Sequence, residues 1–362
     1  MTSITPSLTH FFTTLAVAFG LVAPPAAPPQ DLPTFTILCY HTFDSRKPNS
    51  YTVSSSRFNE QMRYLWIQKI PVISLSEAVS YVRSGKPIPD RSVVITIDDG
   101  YKTARTVAWP ILQKYGFPFT LYVYPAAISH LHGSMTWDDL RYLSAMGVDI
   151  ESHTMTHPLL THPGKAMNPK EYEAWLSMQL LDSRKMIEDH LHKPVRHLAY
   201  SYGGYDDYVV ARAEAAGYES ATTCNNANVT RRVKPLLMDR RLIFSQTTFK
   251  SFTQGLRARE LTLTDRSPHD GQRIKDLPKE ISAQVLNRDQ INPDTLRLHL
   301  DYLRGWQPVQ YDRSNGKVRF QIPAMAHRGY FYVSLVAQDK NLPTLQRQAT
   351  WLFITSKNKS KK

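Results

Sequence analysis

From about residue 34 to residue 250, short apolar runs rich in β-branched and aromatic residues alternate with amphipathic helical stretches. The strand candidates are Thr36–Tyr40, Pro71–Ser74, Val93–Ile97, Phe119–Tyr124, Val148–Glu151, Val195–Tyr200 and Glu219–Cys224. Continuous apolar strands need cover on both faces, so this alternation predicts a parallel sheet dressed with helices. About seven such units suit a barrel better than an open sheet, although the pattern alone does not separate the two. Helix starts are readable between the strands. Thr136 and Asp139 form a capping-box pattern, and Asn168-Pro169-Lys170-Glu171 offers an N-cap, a proline at N1 and an acid at N3. Tyr172, Trp175, Leu176, Leu180 and Ile187 then recur at helical spacing through about His190.

After about residue 275 the pattern changes. In the run Thr295–Tyr302 the residues Leu296, Leu298, Leu300 and Tyr302 alternate with polar neighbours. Val318–Ile322, Tyr330–Val336 and Thr350–Ile354 are further β-rich runs with turn residues between them. Alternation of this kind marks antiparallel strands buried on one face, here a small β-sandwich. The expected organisation is therefore a leader and Pro-rich spacer over 1–33, a (β/α) domain over 34–255, a polar linker over 256–276, a sandwich-like domain over 277–356 and a basic tail over 357–362. Within the second domain Trp306 and Tyr311 read either as a sugar-stacking platform or as core.

The leader contains an apolar run, Phe11–Ala23, too short for a comfortable membrane span and followed by prolines. It reads as an export signal or an uncleaved anchor, which places the protein in the periplasm, the envelope or outside the cell. No Lys or Arg precedes the run, which is atypical of a signal peptide. A formal charge of +13 favours anionic surfaces such as an envelope or membrane. No nucleic-acid motif accompanies that charge, so no nucleic-acid partner is expected. Cys39 and Cys224 lie too far apart in sequence for a zinc-site spacing. They read as small core residues, with a single disulfide as the alternative.

Four motifs fall at the C-terminal ends of predicted strands, the face on which parallel α/β folds build their sites. Asp98-Asp99-Gly100 ends one strand, and two adjacent carboxylates there are costly to bury without partners. His153 and His157 follow another, spaced to project together, and with a carboxylate they make a three-ligand set for a divalent metal. Three protein ligands leave a coordination position open, which is the catalytic pattern. Tyr200-Ser201-Tyr202-Gly203-Gly204 is an aromatic-glycine turn able to aim a backbone N–H into a pocket. Tyr40-His41 ends the first strand. Each motif alone has an ordinary structural explanation; their order and shared placement do not.

A strand ending in DDG, then SHTxxH, then an AYxYG turn, resembles the polysaccharide deacetylases of the NodB-homology group, carbohydrate esterase family four, over about residues 35–250. The Tyr-His pair and the Ala-Tyr turn look most like the poly-β-1,6-N-acetylglucosamine deacetylase branch. The resemblance implies a deformed (β/α)7 barrel and a bound divalent metal, zinc above all, with cobalt or nickel as alternatives. It assigns Asp99, His153 and His157 as ligands, Asp98 as general base, the Tyr202 N–H to the oxyanion hole and His41 as general acid. The implied substrate is an N-acetylated amino-sugar polysaccharide. Two residues depart from the family pattern: Ser201 stands where proline is usual, and Ala199 where many relatives have arginine. These departures favour a competing reading, a barrel that binds carbohydrate or couples to export without catalysis. A third reading, phosphate-ester hydrolysis, lacks ligands for a second metal and a phosphate-cradling loop.

Overall fold

The computed structural model describes residues 31–44, 48–162, 166–323 and 329–355. Residues 1–30 of the expected leader and spacer (1–33) and the basic tail lie outside these residues, and so do the expectations of a signal or anchor. No helix among the described residues is long and apolar enough to cross a membrane.

The first 220 or so described residues build a seven-stranded sheet of parallel strands. In chain order these are β1 (Phe35–Tyr40), β2 (Ser92–Ile97), β3 (Thr120–Val123), β4 (Asp149–Ser152), β5 (His197–Ala199), β6 (Ser220–Thr222) and β7 (Arg241–Leu242). Their spatial order is β6-β5-β4-β3-β2-β1-β7. The sheet curls into a half-barrel with helices outside, the deformed (β/α)7 architecture expected of the sequence. Strands β1 and β2 are buried at every position, as their unbroken apolar sequence requires.

One expected strand is absent. Pro71–Ser74 makes only a bridge between Val72 and Val93, and Ser74 instead caps the helix Leu75–Ser84 through a Ser74/Glu77 capping box. The seventh place is taken by β7, a two-residue strand paired with β1. So short a strand leaves no periodic signal to read.

The expected caps at Thr136 and Asn168 form as complete capping boxes. The helix after Asn168 is not continuous: Pro169–Ser177 and Ser183–Leu191 flank a π-helical turn, Met178–Asp182. A π turn widens the helix and re-aims its side chains, and here it turns Gln179 fully inward.

Residues 256–276, expected as a linker, carry structure. They complete the helix Phe249–Arg257 and form β8 (Arg259–Glu260), β9 (Leu263–Ser267) and β10 (Gln272–Ile274). Two of their arginines are partnered with the barrel: Arg259 grips Asp90 bidentately at 2.7 and 2.5 Å, and Arg273 pairs with Asp206 at 2.7 Å. Part of the polar composition that suggested solvent is spent on these ion pairs.

Next come β11 (Glu280–Val285), β12 (Ile291–Leu300), β13 (Gln307–Pro308), β14 (Gln310–Asp312), β15 (Lys317–Gln321), β16 (Tyr330–Asp339) and β17 (Gln346–Thr355). One sheet runs β8-β17-β16-β12-β13 with β10 also on β17, and a second runs β9-β11-β15-β14. Leu298, Leu300, Phe331, Val333, Trp351 and Phe353 of the first sheet meet Ile281, Val285, Val318 and Phe320 of the second in one core. The other face of the first sheet turns to the barrel. Leu352 and Ile354 are fully buried within the barrel's own core, with Tyr330 and Tyr332 packed beside them. Tyr311 packs against the sandwich core, whereas Trp306 is exposed.

Candidate active site

At the C-terminal ends of β1, β2 and β4 the chain brings together His41, Asp98, Asp99, His153 and His157. They line one cavity of about 780 Å³, and Tyr202 lies on its rim. Every site residue anticipated from sequence is therefore in one place.

The two aspartates have opposite environments. Burial alone would raise the pKa of Asp98, but the Arg240 guanidinium, with His153 and His41, outweighs it and holds the carboxyl well below the usual carboxylate range. Arg240 Nη1 donates to Asp98 Oδ1 at 2.7 Å, and both residues are almost wholly buried. The Cys39 thiol donates to the other oxygen at 3.4 Å. Asp99 has no such support: burial and the neighbouring Asp98 push it up to about 7, and its Oδ1 is a buried acceptor without a hydrogen-bond partner. One carboxylate is thus fixed as an anion, and the other is left needing a cation.

The histidines supply the rest of that need. Burial lowers His153 to about 4 and His157 to about 3, so both rings are neutral at pH 7. His153 Nδ1 lies 2.7 Å from the Ala199 carbonyl oxygen, which places its proton there and leaves the Nε2 lone pair facing the cavity. His157 Nε2 is 3.1 Å from His153 Nε2, and the two nitrogens lie 3.4 and 3.6 Å from Asp99 Oδ1. Two neutral nitrogens and an orphaned carboxylate oxygen converge on one point, a donor set that fits a divalent transition metal.

The backbone that makes this convergence is strained. Asp99, Thr154, His157 and Tyr202 all adopt left-handed φ values, 73, 68, 56 and 58°. Each costs a non-glycine residue about 1–3 kcal/mol and persists only when its surroundings hold it. The His153–His157 segment is held by Gln179, whose Oε1 accepts from the N–H groups of Met155 (3.2 Å) and Thr156 (3.0 Å). Its Nε2 donates to Thr156 Oγ1 at 2.9 Å. Thr154 Oγ1 in turn accepts from the His157 N–H at 3.1 Å.

The Tyr202 turn is held from two sides. Ser201, in the usual place of proline, lies with its Oγ 2.9 Å from Thr154 Oγ1, which ties the turn to the histidine segment. Tyr332, from the C-terminal sheet, donates its hydroxyl to the Tyr202 carbonyl at 3.1 Å. Neither backbone bond of the turn uses the Tyr202 N–H: Gly203 N–H donates to Tyr200 O and Gly204 N–H to Ser201 O. Gly203 has φ of 67°, and a Cβ there would sit 2.4 Å from Cys224 Cβ. Cys224 is a free thiol in the cavity wall, as Cys39 is beneath Asp98, so the disulfide alternative does not hold.

Residues 85–221 match the family model for polysaccharide deacetylase. Over that stretch the chain resembles the polysaccharide deacetylases. It is 29% identical over 195 residues to YxkH of Bacillus subtilis (strain 168), a protein named for the same family, across 54% of this chain and 65% of that one. It is 28% identical over 196 residues to a poly-beta-1,6-N-acetyl-D-glucosamine N-deacetylase of Staphylococcus aureus (strain MRSA252), across 53% of this chain and 67% of that protein. The domain is also similar in fold to the Streptococcus pyogenes deacetylase PplD, with a TM-score of 0.56 at 21% identity over 64% of this chain and 99% of that one.

Sequence reasoning missed Arg240, Gln179 and Tyr332. Arg240 lies beyond the family-model match, and nothing around it in Met238-Asp239-Arg240-Arg241 separates it from its neighbour. Gln179 carried a faint signal as a polar residue on the buried side of an amphipathic helix. Tyr332 belongs to a different sheet altogether.

Proposed function

We propose that the protein is a metal-dependent hydrolase that removes N-acetyl groups from an amino-sugar polysaccharide. A poly-β-1,6-N-acetylglucosamine-like envelope glycan is the preferred substrate, and zinc the preferred metal. The observation that carries this reading is the pairing of an anionic Asp98, locked by Arg240, with the convergent set Asp99, His153 and His157. The name of the staphylococcal relative supports the choice of glycan. The apolar leader and the +13 charge support an exported protein working at an anionic envelope surface.

Asp99, His153 and His157 would hold the metal, which when bound lowers the pKa of water and polarises a carbonyl. Asp98 stands beside that set, its carboxylate 3.7 Å from His153 Nε2, and takes the proton from the attacking water. Arg240 keeps Asp98 ionised and fixes which oxygen faces the cavity. The Tyr202 N–H donates to the oxygen that gains charge as the acetyl carbon becomes tetrahedral.

The departing amine needs a proton, because an amide anion is a very poor leaving group. His41 would supply it. Burial holds this ring down to about 4, so it is neutral at rest. The proton it gives up is therefore the one released by water, arriving through Asp98, whose oxygen lies within 4.8 Å of the His41 ring nitrogen.

The reading is tested by acetate release from β-1,6- and β-1,4-linked N-acetylglucosamine oligomers with chelated protein, zinc-loaded protein and an Asp99→Ala variant. Release that requires metal, is lost in the variant and is faster on β-1,6 linkages is expected. No release from any oligomer with zinc demonstrably bound would overturn it.

A further inference from the structure

Part of the wall of the cavity that holds His41 and Asp99 is built by the C-terminal sheet. His299 on β12 pairs in register with Ser334 on β16, and Ser334 with Thr350 on β17. Residues opposite one another in a ladder point to the same face, so these three form one row across three strands. All three line the cavity, together with Asp301 and Tyr332. Two residues along β17 from Thr350, on the same face, Leu352 and then Ile354 are fully buried against the barrel core. The face thus changes from apolar to polar where it leaves the barrel and passes over the site.

The polar row continues outward to an aromatic residue. His299 Nδ1 lies 3.9 Å from Asp301 Oδ1, and the Trp306 ring is 5.6 Å from the His299 ring. Trp306 is 49% exposed and stands beside His299, which lines the cavity. An exposed aromatic plane beside hydrogen-bonding side chains matches a pyranose, which has an apolar C–H face and a rim of hydroxyls.

We propose that His299, Asp301 and Trp306 form a subsite for the sugar unit next to the one being deacetylated, so that the C-terminal sheet selects polymer over free sugar. The polymer's identity rests on the deacetylase reading above; the wall does not. In this arrangement Trp306 stacks on the neighbouring ring, and Asp301 and His299 bond its hydroxyls.

The test is ligand titration of the full-length, zinc-loaded protein with N-acetylglucosamine monomer and with its β-1,6-linked pentamer. Wild type, Trp306→Ala and Asp301→Asn are compared. The wild type should bind the pentamer at least tenfold more tightly than the monomer. Either variant should weaken pentamer binding about tenfold and monomer binding less than twofold. Equal affinity of the wild type for the two ligands, pentamer binding unchanged in both variants, or the same loss for both ligands would overturn the subsite. A protein that binds the pentamer through this wall yet releases no acetate sinks the deacetylase reading alone. One that releases acetate with pentamer affinity unchanged in both variants sinks only the subsite.

Discussion

At the scale of single residues the site is a contrast between two adjacent carboxylates. Asp98 and Asp99 share a strand end, yet the Arg240 guanidinium bonds one directly and leaves Oδ1 of the other a buried acceptor without a hydrogen-bond partner. The turn that begins at Ala199 contributes no cation. The cation arrives instead from just before β7 and is anchored by its Nε donating to the Thr223 carbonyl at 3.0 Å. Replacing it with a neutral side chain strands a buried carboxylate, which costs about 3–5 kcal/mol. An Arg240→Met variant should therefore melt well below the wild type and lose turnover while still binding zinc. Calorimetry with metal analysis on the same sample checks this, and wild-type melting with wild-type turnover would remove Arg240 from the account.

At the scale of elements, the loop from His153 to His157 owes its shape to a helix that does not touch the cavity. The π turn Met178–Asp182 swings Gln179 under the loop, where its amide bonds two backbone N–H groups and a threonine hydroxyl. Outer-shell bonds of this kind typically change metal affinity by about 10–100-fold. Gln179→Leu keeps the volume and removes the bonds, so zinc affinity should fall within that range while the far-ultraviolet dichroism is kept. Unchanged affinity in a competition titration would assign Gln179 to packing alone. The strands that position the metal set were legible in sequence because β1 and β2 are apolar runs ending in the motifs themselves, while the short, largely polar β4 is marked by the histidine motif that follows it. What supports those motifs was not. Gln179, Arg240 and Tyr332 act from remote segments, and their meaning exists only after folding brings them alongside. The strand Arg241–Leu242 and the ion-paired segment 256–276 were obscured for a related reason, since two residues have no periodicity and partnered charges look like solvated ones.

At the scale of the whole molecule, barrel and sandwich are one compact unit from Asp31 onward, joined by a seam that is partly acidic. Asp239 accepts from Thr223 at 3.1 Å and from Thr350 of β17 at 3.4 Å. Asp270 accepts from Tyr205 at 2.6 Å and from the Leu352 N–H at 3.0 Å. Burial, then its neighbour Asp270, pushes Asp239 up to about 8, and burial also raises Asp270. A carboxyl whose folded pKa lies above its unfolded value binds more protons when folded, so its contribution to stability falls as pH rises from about 4 to 8. Asp239→Asn should thus gain stability relative to the wild type across that window, with the gap widest near pH 8. Urea midpoints at pH 5 and pH 8 measure it, and a constant gap would mean that Asp239 does not titrate there.

In the proposed mechanism Asp98 performs proton transfer while Asp99, His153 and His157 hold the metal. Its most direct test is the turnover of Asp98→Asn with bound zinc quantified in the same preparation. Full zinc occupancy is expected, with acetate release reduced about 10²–10⁴-fold, the usual contribution of a positioned general base. Near wild-type release from the zinc-loaded variant would contradict it.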